Sequence, residues 1–232
     1  TPDPVVNYSP NDIVQILFTS GSTGQPKGAI EDYRYLIRSA FIKLSTRGYE
    51  PDERVLQLST FTYSSPHSLV FTALLNGLTI CHYNVKENGI IGLPDWIRQQ
   101  EITGYTITPT VFRSLISILD PDEEFPSVHT IKLGAERKLH TDIEAIKKHF
   151  PNVDRIQLGF SSTESPSVSS SMFPVNFALE QETLTSGMPH KDLKIFIWDE
   201  DGNSLPPGEE GEIVVHGDAL ARGYINNPQL TR

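Results

Sequence analysis

The sequence predicts an α/β fold in which a largely parallel sheet is flanked by helices and is followed by a small β module. Between residues 54 and 158, short apolar segments alternate with segments of helical periodicity, which is the pattern of repeated strand–helix units. After about residue 185 this alternation gives way to two strand-like segments joined by a polar turn. Polar segments rich in hydroxyl residues follow two of the predicted strands, and ligands of such sheets gather beyond the carboxyl ends of strands.

The composition is that of an ordinary globular protein: 38% of the 232 residues are hydrophobic and 21% are charged. The net charge of −10 argues against a nucleic acid or an anionic membrane as partner, because both need a basic surface. The single cysteine, Cys81, excludes internal disulfides and lies in an apolar run, which predicts a buried core residue. No run approaches the roughly 20 apolar residues of a membrane span, and no signal peptide is visible. The expected location is cytoplasmic.

In the first half of the chain, residues 13–17 are apolar and β-branched and predict a buried strand. Leu36, Ala40 and Leu44 recur at four-residue spacing and predict a helix over 35–44. The predicted elements that follow are a strand at 54–59, an irregular segment at 61–66, a helix at 68–75 and a strand at 78–83.

In the second half, Val111, Leu115 and Ile118 are expected to face inward from one helix, and the sequence 141–144 fits a capping box at the start of another. The predicted helices cover residues 95–100, 110–119 and 141–149, and the predicted strands cover 105–108, 129–133, 155–158, 193–198 and 211–216.

The segment 18–28 has the composition of a phosphate-binding loop. Three glycines in eight residues, Gly21, Gly24 and Gly28, allow the backbone to approach a ligand closely, and hydroxyl groups and Lys27 can bind anionic oxygens. It is not a Walker A loop, because Lys27 follows a proline and precedes a glycine. On composition alone, a serine- and glycine-rich loop without a ligand is an equal alternative.

A second polar segment, residues 159–165, also follows a predicted buried strand. It combines the carboxylate of Glu164 with several hydroxyl groups, a set that can hold Mg²⁺ together with phosphate oxygens. The alternative for this segment alone is a solvated serine-rich turn.

The whole string 18–28 resembles the signature of the AMP-forming adenylating enzymes, which include acyl-CoA synthetases, luciferases and the adenylation domains of nonribosomal peptide synthetases. Residues 159–165 are similar to the second signature of this family, and residues 133–136 resemble its Gly-Gly-Glu turn. The resemblance implies that the first loop binds the β- and γ-phosphates of ATP, that Phe160 stacks on adenine, and that Glu164 binds Mg²⁺. Leu158 stands where the family usually has an asparagine.

Taken residue by residue, the resemblance implies three kinds of site. The implied catalytic residues are Lys27, Thr163, which would contact the α-phosphate, and Glu164. The implied nucleotide contacts are Thr19, Ser20, Gly21, Ser22, Thr23, Gly24, Lys27, Gly134, Ala135, Glu136, Gly159, Phe160, Ser161 and Thr163. The implied pocket for the acid is lined by Tyr63, Ser64, Ser65, Ser68, Thr106, Lys132, Gly134, Gly159 and Ser167.

Ser64 falls where amino-acid-activating members have an aspartate that pairs with the ammonium of the substrate, so an ordinary α-amino acid is disfavoured. Lys132 either lines this pocket or faces solvent, and His67 is more simply a structural residue than a base. The stretch 211–231 also matches the family, and Arg222 and Tyr224 within it are interpreted as packing residues.

The resemblance covers the whole chain but only the middle of the family's large N-terminal domain, so a fragment without the C-terminal catalytic domain is expected. The expected division is a first α/β subdomain at 1–60, a second α/β subdomain at 61–185 and a β-barrel-like module at 186–232. The sheet flanked by helices is expected to be a flavodoxin-like subdomain.

The implied function is ATP- and Mg²⁺-dependent activation of a carboxylic acid as an acyl-adenylate, followed by transfer to the phosphopantetheine thiol of a carrier protein. Two alternatives remain open. One is a stand-alone acyl- or aryl-CoA ligase, and the other is a non-catalytic fragment that keeps the nucleotide site.

Overall fold

The computed structural model describes residues 7–19, 25–47, 49–58, 64–134, 136–177 and 184–231. The described strands are β1 (Ile13–Thr19), β2 (Lys27–Asp32), β3 (Arg54–Gln57), β4 (Thr79–His82), β5 (Gly104–Ile107), β6 (Thr130–Leu133), β7 (Arg155–Phe160), β8 (Ser169–Pro174), β9 (Met188–Pro189), β10 (Lys194–Trp198) and β11 (Glu212–His216). The described helices are α1 (Tyr33–Arg47), α2 (Ser64–Asn76), α3 (Val85–Asn88), α4 (Leu93–Gln99), α5 (Pro109–Ile116) and α6 (His140–His149).

The main sheet has the strand order β4-β3-β5-β6-β7-β8-β9. Strands β3 to β7 pair in parallel, as strands joined by helical crossovers do, whereas β8 and β9 are antiparallel. Strands β10 and β11 form a separate antiparallel pair, which is the predicted β module. The predicted fold class is therefore confirmed.

The two faces of the main sheet differ in chemistry. On one face, Ile131, Leu133, Ile156 and Leu158 are fully buried with the apolar residues of α5 and α6, and Phe150 stacks on Phe125 within this core. The other face carries polar side chains: Gln157 is buried and donates a hydrogen bond to Thr46 of α1 at 2.9 Å. Thr106 and Lys132 lie on this face in register with each other. The apolar face packs into the hydrophobic core, whereas the polar face carries Thr106 and Lys132 of the predicted acid pocket.

The first strand differs from the prediction. The sequence predicts a buried strand, whereas β1 forms an antiparallel hairpin with β2, a strand that the sequence analysis missed, and this hairpin is separate from the main sheet. Most of β1 is half-buried or exposed. The apolar run of β1 is explained by pairing with β2 on one edge, not by burial between two layers of helices.

Several element ends also differ. Helix α2 begins at Ser64 inside the segment expected to be irregular, because Pro66 is tolerated in the first turn of a helix. Ile118 lies beyond the end of α5 and is exposed, while Phe112 is buried in its place. The predicted capping box is wrong as well: α6 begins at His140, and the carboxylate of Asp142 accepts a hydrogen bond from the backbone N–H of Leu139 at 2.8 Å.

The expected division into domains remains a prediction. Strand β3 lies before residue 60 and β9 after residue 185, yet both pair within the main sheet. Cys81 is buried, as expected. Among the helices in the described ranges, none has the length and apolar character needed to cross a membrane.

Candidate functional site

Three segments that are far apart in sequence meet at one end of the molecule: the β1–β2 hairpin, the turn after β7, and residues 221–225. The last of these runs along β2, where Ile225 N–H donates to the carbonyl of Gly28 and Arg222 N–H to that of Ile30, both at 2.8 Å. At its other side, the N–H of Ala221 donates to the carbonyl of Glu164, also at 2.8 Å. The segment 221–225 therefore joins the end of the glycine-rich loop to the turn that carries the candidate metal carboxylate.

The side chain of Tyr224 lies between two predicted catalytic residues. Its hydroxyl donates a hydrogen bond to Oε1 of Glu164 at 2.6 Å. The ammonium of Lys27 lies 5.9 Å from the centroid of the Tyr224 ring, within the range of a cation–π contact. Burial and the neighbouring carboxylate raise the pKa of Tyr224 to about 12, so the phenol remains a donor at neutral pH.

Behind Glu164 lies a buried carboxyl group that the sequence analysis did not identify. Glu31 of β2 is fully buried, and burial raises the pKa of this carboxyl to about 7. The amide of Gln15 donates to its Oε2 at 2.6 Å, whereas no hydrogen bond within the described part of the chain reaches the buried Oε1. The hydroxyl of Tyr35 also lowers this pKa, although its own short hydrogen bond, at 2.9 Å, goes to the carbonyl of Thr163.

The turn after β7 presents the other predicted nucleotide contacts. Ser162 and Ser165 close it, because the N–H of Ser162 donates to the carbonyl of Ser165 and the N–H of Ser165 to the hydroxyl of Ser162, both at 3.0 Å. Phe160, the last residue of β7, is 36% exposed and leaves a ring face accessible for stacking. Ser161 is exposed beside it, and Thr163 and Glu164 are half-buried.

The predicted adenine wall at residues 134–136 is only partly supported by contacts. A Cβ built at Gly134 would meet only Lys132 and Thr106, at 3.8 and 3.9 Å, so the space above Gly134 is open to a flat group. The carboxylate of Glu136 accepts hydrogen bonds from the N–H and the hydroxyl of Thr110. Glu136 thereby satisfies a free N–H group in the first turn of α5. Ala135 lies outside the described residues.

In the glycine-rich loop, the hydroxyl of Thr19 donates a long hydrogen bond, 3.5 Å, to the carbonyl of Lys27 across the hairpin. Position 28 has little room for a residue larger than glycine, because a Cβ there would lie 2.7 Å from the side chain of Ile225. Ser20, Gly21, Ser22, Thr23 and Gly24 lie outside the described residues.

The predicted acid pocket is described in part. Ser68 is buried in α2, where its hydroxyl accepts a hydrogen bond from the buried ammonium of Lys43. Thr106 and Lys132 are half-buried neighbours on β5 and β6, so Lys132 lies on the polar face of the sheet. Tyr63 and the side chains of Ser64 and Ser65 lie outside the described part, while His67 is half-buried within α2.

Two more pocket residues are constrained by neighbouring backbone. Gly159 is buried against β8, where a Cβ would lie 2.8 Å from the carbonyl of Ser169. Ser167 is buried with φ at 51°, and its carbonyl and that of Pro166 accept hydrogen bonds from Arg38. Arg38 also pairs with Asp192, and its guanidinium lowers the pKa of that carboxyl. Helix α1 thereby fixes the loop between β7 and β8.

A buried lysine, Lys138, supports the same strand end from the other side. Lys138 follows β6, and its ammonium donates a hydrogen bond to the carbonyl of Gly159 at 3.0 Å. Burial lowers the pKa of Lys138. The sequence held no sign of this contact, because a lysine in a polar stretch predicts solvent exposure.

The carboxylate of Glu164 suits a Mg²⁺ ion that is bound jointly by the protein and a polyphosphate. It does not suit a metal site whose ligands all come from the protein. In the described ranges, no three His, Cys, Asp or Glu side chains group as a metal site. Glu164 offers one free carboxylate oxygen, since Tyr224 occupies only Oε1 and no other hydrogen bond to the carboxylate is present in the described part. Mg²⁺ commonly takes one or two carboxylates, with phosphate oxygens and water completing its shell.

A cavity of about 310 Å³ lies where Lys27 and the start of β2 face the turn 224–227. This volume suits part of a nucleotide. A larger apolar cavity of about 800 Å³ lies between α1, α2 and residues 192, 218 and 219, away from the predicted site residues. Of these two cavities, the smaller is the one lined by Lys27 and Tyr224.

Comparison with known proteins identifies the family of the chain. The family described as AMP-binding enzyme matches residues 1–225. The nonribosomal peptide synthetase malG of Malbranchea aurantiaca is 30% identical over 231 residues, which are 99% of this chain and 9% of that protein. Tyrocidine synthase 3 of Brevibacillus parabrevis is 25% identical over 98% of this chain and 3% of its own length.

Among solved structures, the crystal structure of VinN superposes with a TM-score of 0.82 at 25% identity, covering 99% of this chain and 56% of VinN. The N-terminal domain of FACL13 from Mycobacterium tuberculosis superposes with a TM-score of 0.83 at 20% identity, covering 98% of this chain and 56% of that one, which shows the shared fold. The chain thus spans a small part of the curated relatives and about half of these structures. It belongs to the AMP-binding enzyme family, the AMP-forming adenylating enzymes, and corresponds to part of their larger domain.

Proposed function

We propose that the protein containing this chain activates a carboxylic acid with ATP and Mg²⁺, forming an acyl-adenylate and pyrophosphate. One observation carries the proposal: residues 221–225 hydrogen-bond both to β2, next to Lys27, and to the turn of Thr163 and Glu164. Groups suited to phosphate and to Mg²⁺ thereby lie at one site, although they are more than 130 residues apart in sequence. The family membership supports the same reaction.

In the proposed reaction, a carboxylate oxygen of the acid attacks the α-phosphorus of ATP, and the bond to the β-phosphate oxygen breaks to release pyrophosphate. Lys27 and the glycine-rich loop would bind the β- and γ-phosphates, and the hydroxyl of Thr163 would donate to the α-phosphate. Glu164 would hold Mg²⁺, which when bound neutralises charge on the phosphates during transfer. Phe160 and the open space above Gly134 would hold the adenine. These residues act by positioning and by charge neutralisation.

The acid we propose is not an ordinary α-amino acid. Ser64 is neutral, so it provides no charge to pair with an α-ammonium group, which is costly to bury without a partner. The ammonium groups of Lys43 and Lys132, on α1 and on the polar sheet face, would further disfavour a cationic substrate.

For the acceptor we propose the phosphopantetheine thiol of a carrier protein. Support comes from malG, which matches 99% of this chain and is named as a nonribosomal peptide synthetase. Attack of the thiol sulfur on the acyl carbon would release AMP and leave a thioester. Free CoA carries the same thiol and is the alternative acceptor.

The test is ATP–pyrophosphate exchange by the full-length protein that contains this chain, across paired α-amino, α-hydroxy, α-keto, fatty and aryl acids. We expect exchange with a non-amino acid, and a loss of about 100-fold or more in Glu164→Gln. The matched control is Glu212→Gln, which makes the same change at an exposed position on β11. Carrier protein and CoA are then compared as acceptors of the labelled acyl group.

Each outcome is decisive for one part of the proposal. Exchange driven by an α-amino acid would overturn the substrate assignment and keep the reaction. Binding of ATP with no exchange across the panel would overturn the reaction and favour a non-catalytic nucleotide-binding protein.

A further inference from the structure

We propose that Tyr224 is a positioning residue that sets Glu164 and Lys27 on the same Mg²⁺-bound triphosphate. The inference rests on the proposed function and adds to it a residue that sequence analysis interpreted as packing. Its basis is the pair of contacts made by one side chain: the phenol hydrogen bond to Glu164 at 2.6 Å and the Lys27 ammonium 5.9 Å from the ring centroid.

The hydrogen bond orients the carboxylate for a ligand. Tyr224 takes Oε1 of Glu164, and Oε2 carries no hydrogen bond within the described residues. A hydroxyl that donates to an ionised carboxylate forms a short, strong bond, so the carboxylate plane is held and the free oxygen has a fixed direction. Groups that hydrogen-bond to a metal ligand in this way orient the ligand, and their removal commonly weakens metal binding.

The ring acts on the other charged group. Lys27 lies near the end of the glycine-rich loop and is half-buried, and no ion pair with a described carboxylate holds its ammonium. The π face of Tyr224 supplies a weak attraction that keeps the flexible lysine chain near the site without cancelling its charge. The ammonium therefore stays available to phosphate oxygens.

The backbone around Tyr224 is locked, which is what a positioning role requires. The N–H of Tyr224 donates to the hydroxyl of Thr231 at 2.9 Å, and the residue forms an antiparallel bridge with Ala29 of β2. The preceding Gly223 has φ at 130° and accepts a hydrogen bond from Ile30 at 2.9 Å. Glycine is needed at such a φ, and the next side chain is then aimed at Glu164.

A packing role and a positioning role make different predictions for Tyr224→Phe. Packing needs only the ring, which phenylalanine keeps, so binding would not change. Orientation of Glu164 needs the hydroxyl, so the variant would bind Mg²⁺ and Mg²⁺–ATP more weakly while staying folded and keeping the ring contact with Lys27. The matched control is Tyr83→Phe, which removes a phenol that donates to the carbonyl of Gly89 at 3.0 Å beside the edge strand β4.

The experiment uses the full-length protein and measures Mn²⁺ binding in the presence of ATP by electron paramagnetic resonance, and Mg²⁺–ATP binding by calorimetry. We expect Tyr224→Phe to weaken metal binding about 10- to 100-fold. Its melting temperature should match that of Tyr83→Phe, whose metal binding should equal that of the wild type. The Mg²⁺ concentration for half-maximal exchange should rise in parallel, and high Mg²⁺ should restore the rate.

A double variant, Tyr224→Phe with Glu164→Gln, separates direct action from action through Glu164. We expect it to bind metal no more weakly than Glu164→Gln alone, because the phenol then has no carboxylate to orient. Equal metal binding by Tyr224→Phe and the wild type would overturn the inference and leave the proposed function intact. Normal Mg²⁺–ATP binding without acid-dependent exchange would overturn the proposed reaction instead, and a wild type that binds no Mg²⁺–ATP would overturn both.

Discussion

Replacing Glu31 by glutamine should stabilise the protein at alkaline pH and leave its stability near pH 4 almost unchanged. The unfolded chain releases the proton of this carboxyl near its ordinary pKa of 4.5, whereas burial raises the pKa in the folded protein to about 7. Between these values the folded state holds a proton that the unfolded state has lost. Because the folded state then binds more protons, its stability falls as the pH rises from 4.5 to 7.

The magnitude follows from the same two values. At about 1.4 kcal/mol per pH unit, the difference from 4.5 to about 7 gives an upper bound of about 3 kcal/mol at pH 8. Relaxation around the carboxylate and water penetration reduce this bound, so we expect about 1 to 3 kcal/mol. Glutamine keeps an oxygen that can accept the hydrogen bond from Gln15, so this interaction does not dominate the comparison.

The assay is urea unfolding of the wild type and Glu31→Gln, followed by tryptophan fluorescence at pH 5, 6, 7 and 8 without nucleotide or metal. Taking the difference at each pH cancels the titration of all other groups. The matched control is Glu210→Gln, at an exposed position before β11. A difference between the wild type and Glu31→Gln that stays constant from pH 5 to 8 would refute the reasoning.

Two further substitutions test the support of the site. Gly159→Ala should destabilise the protein by about 1 to 3 kcal/mol and lower its melting temperature, because the new Cβ would lie 2.8 Å from the carbonyl of Ser169 on β8. Arg113→Met should cost about 3 kcal/mol in urea unfolding, because Asp142 has a side chain only 1% exposed and would lose the two hydrogen bonds, at 2.7 and 2.8 Å, that this arginine donates. A cost below about 0.5 kcal/mol in either variant would contradict the packing described.

The main sheet could be predicted because its signals are local. Residues 54–57, 104–107, 130–133 and 155–160 are short strands in which at least half of the residues are apolar. They are separated by helical periodicity, and each pattern lies within a single window of sequence. The element ends were less accurate. At α6, for example, the helix begins where Asp142 can bond to the backbone of Leu139, a choice of one residue that the periodicity does not fix.

The β1–β2 hairpin could not be predicted in the same way. Strand β2, Lys27–Asp32, contains three charged residues in six, so its pattern favours an exposed segment. It is nevertheless largely buried, because residues 221–225 hydrogen-bond to it from the far end of the chain. Glu31 is buried within this strand, where the amide of Gln15 donates to its carboxyl group. Pairing over such a sequence distance leaves no periodic trace in either segment.

The residues of the candidate site also differ in whether the sequence around them carries a local signal. Lys27, Thr163 and Glu164 stand out in the sequence as candidates and remain predictions, because a loop that binds phosphate or a metal must concentrate its donors within a few residues. Tyr224 does not stand out, because its partner Glu164 is 60 positions away and nothing near either residue specifies the contact. Loops that bind a common ligand must also be held at a fixed separation, and here a third segment does so through backbone hydrogen bonds to both. Groups that contact the ligand therefore leave a local pattern in the sequence, whereas groups that align one loop with another are apparent only from the fold.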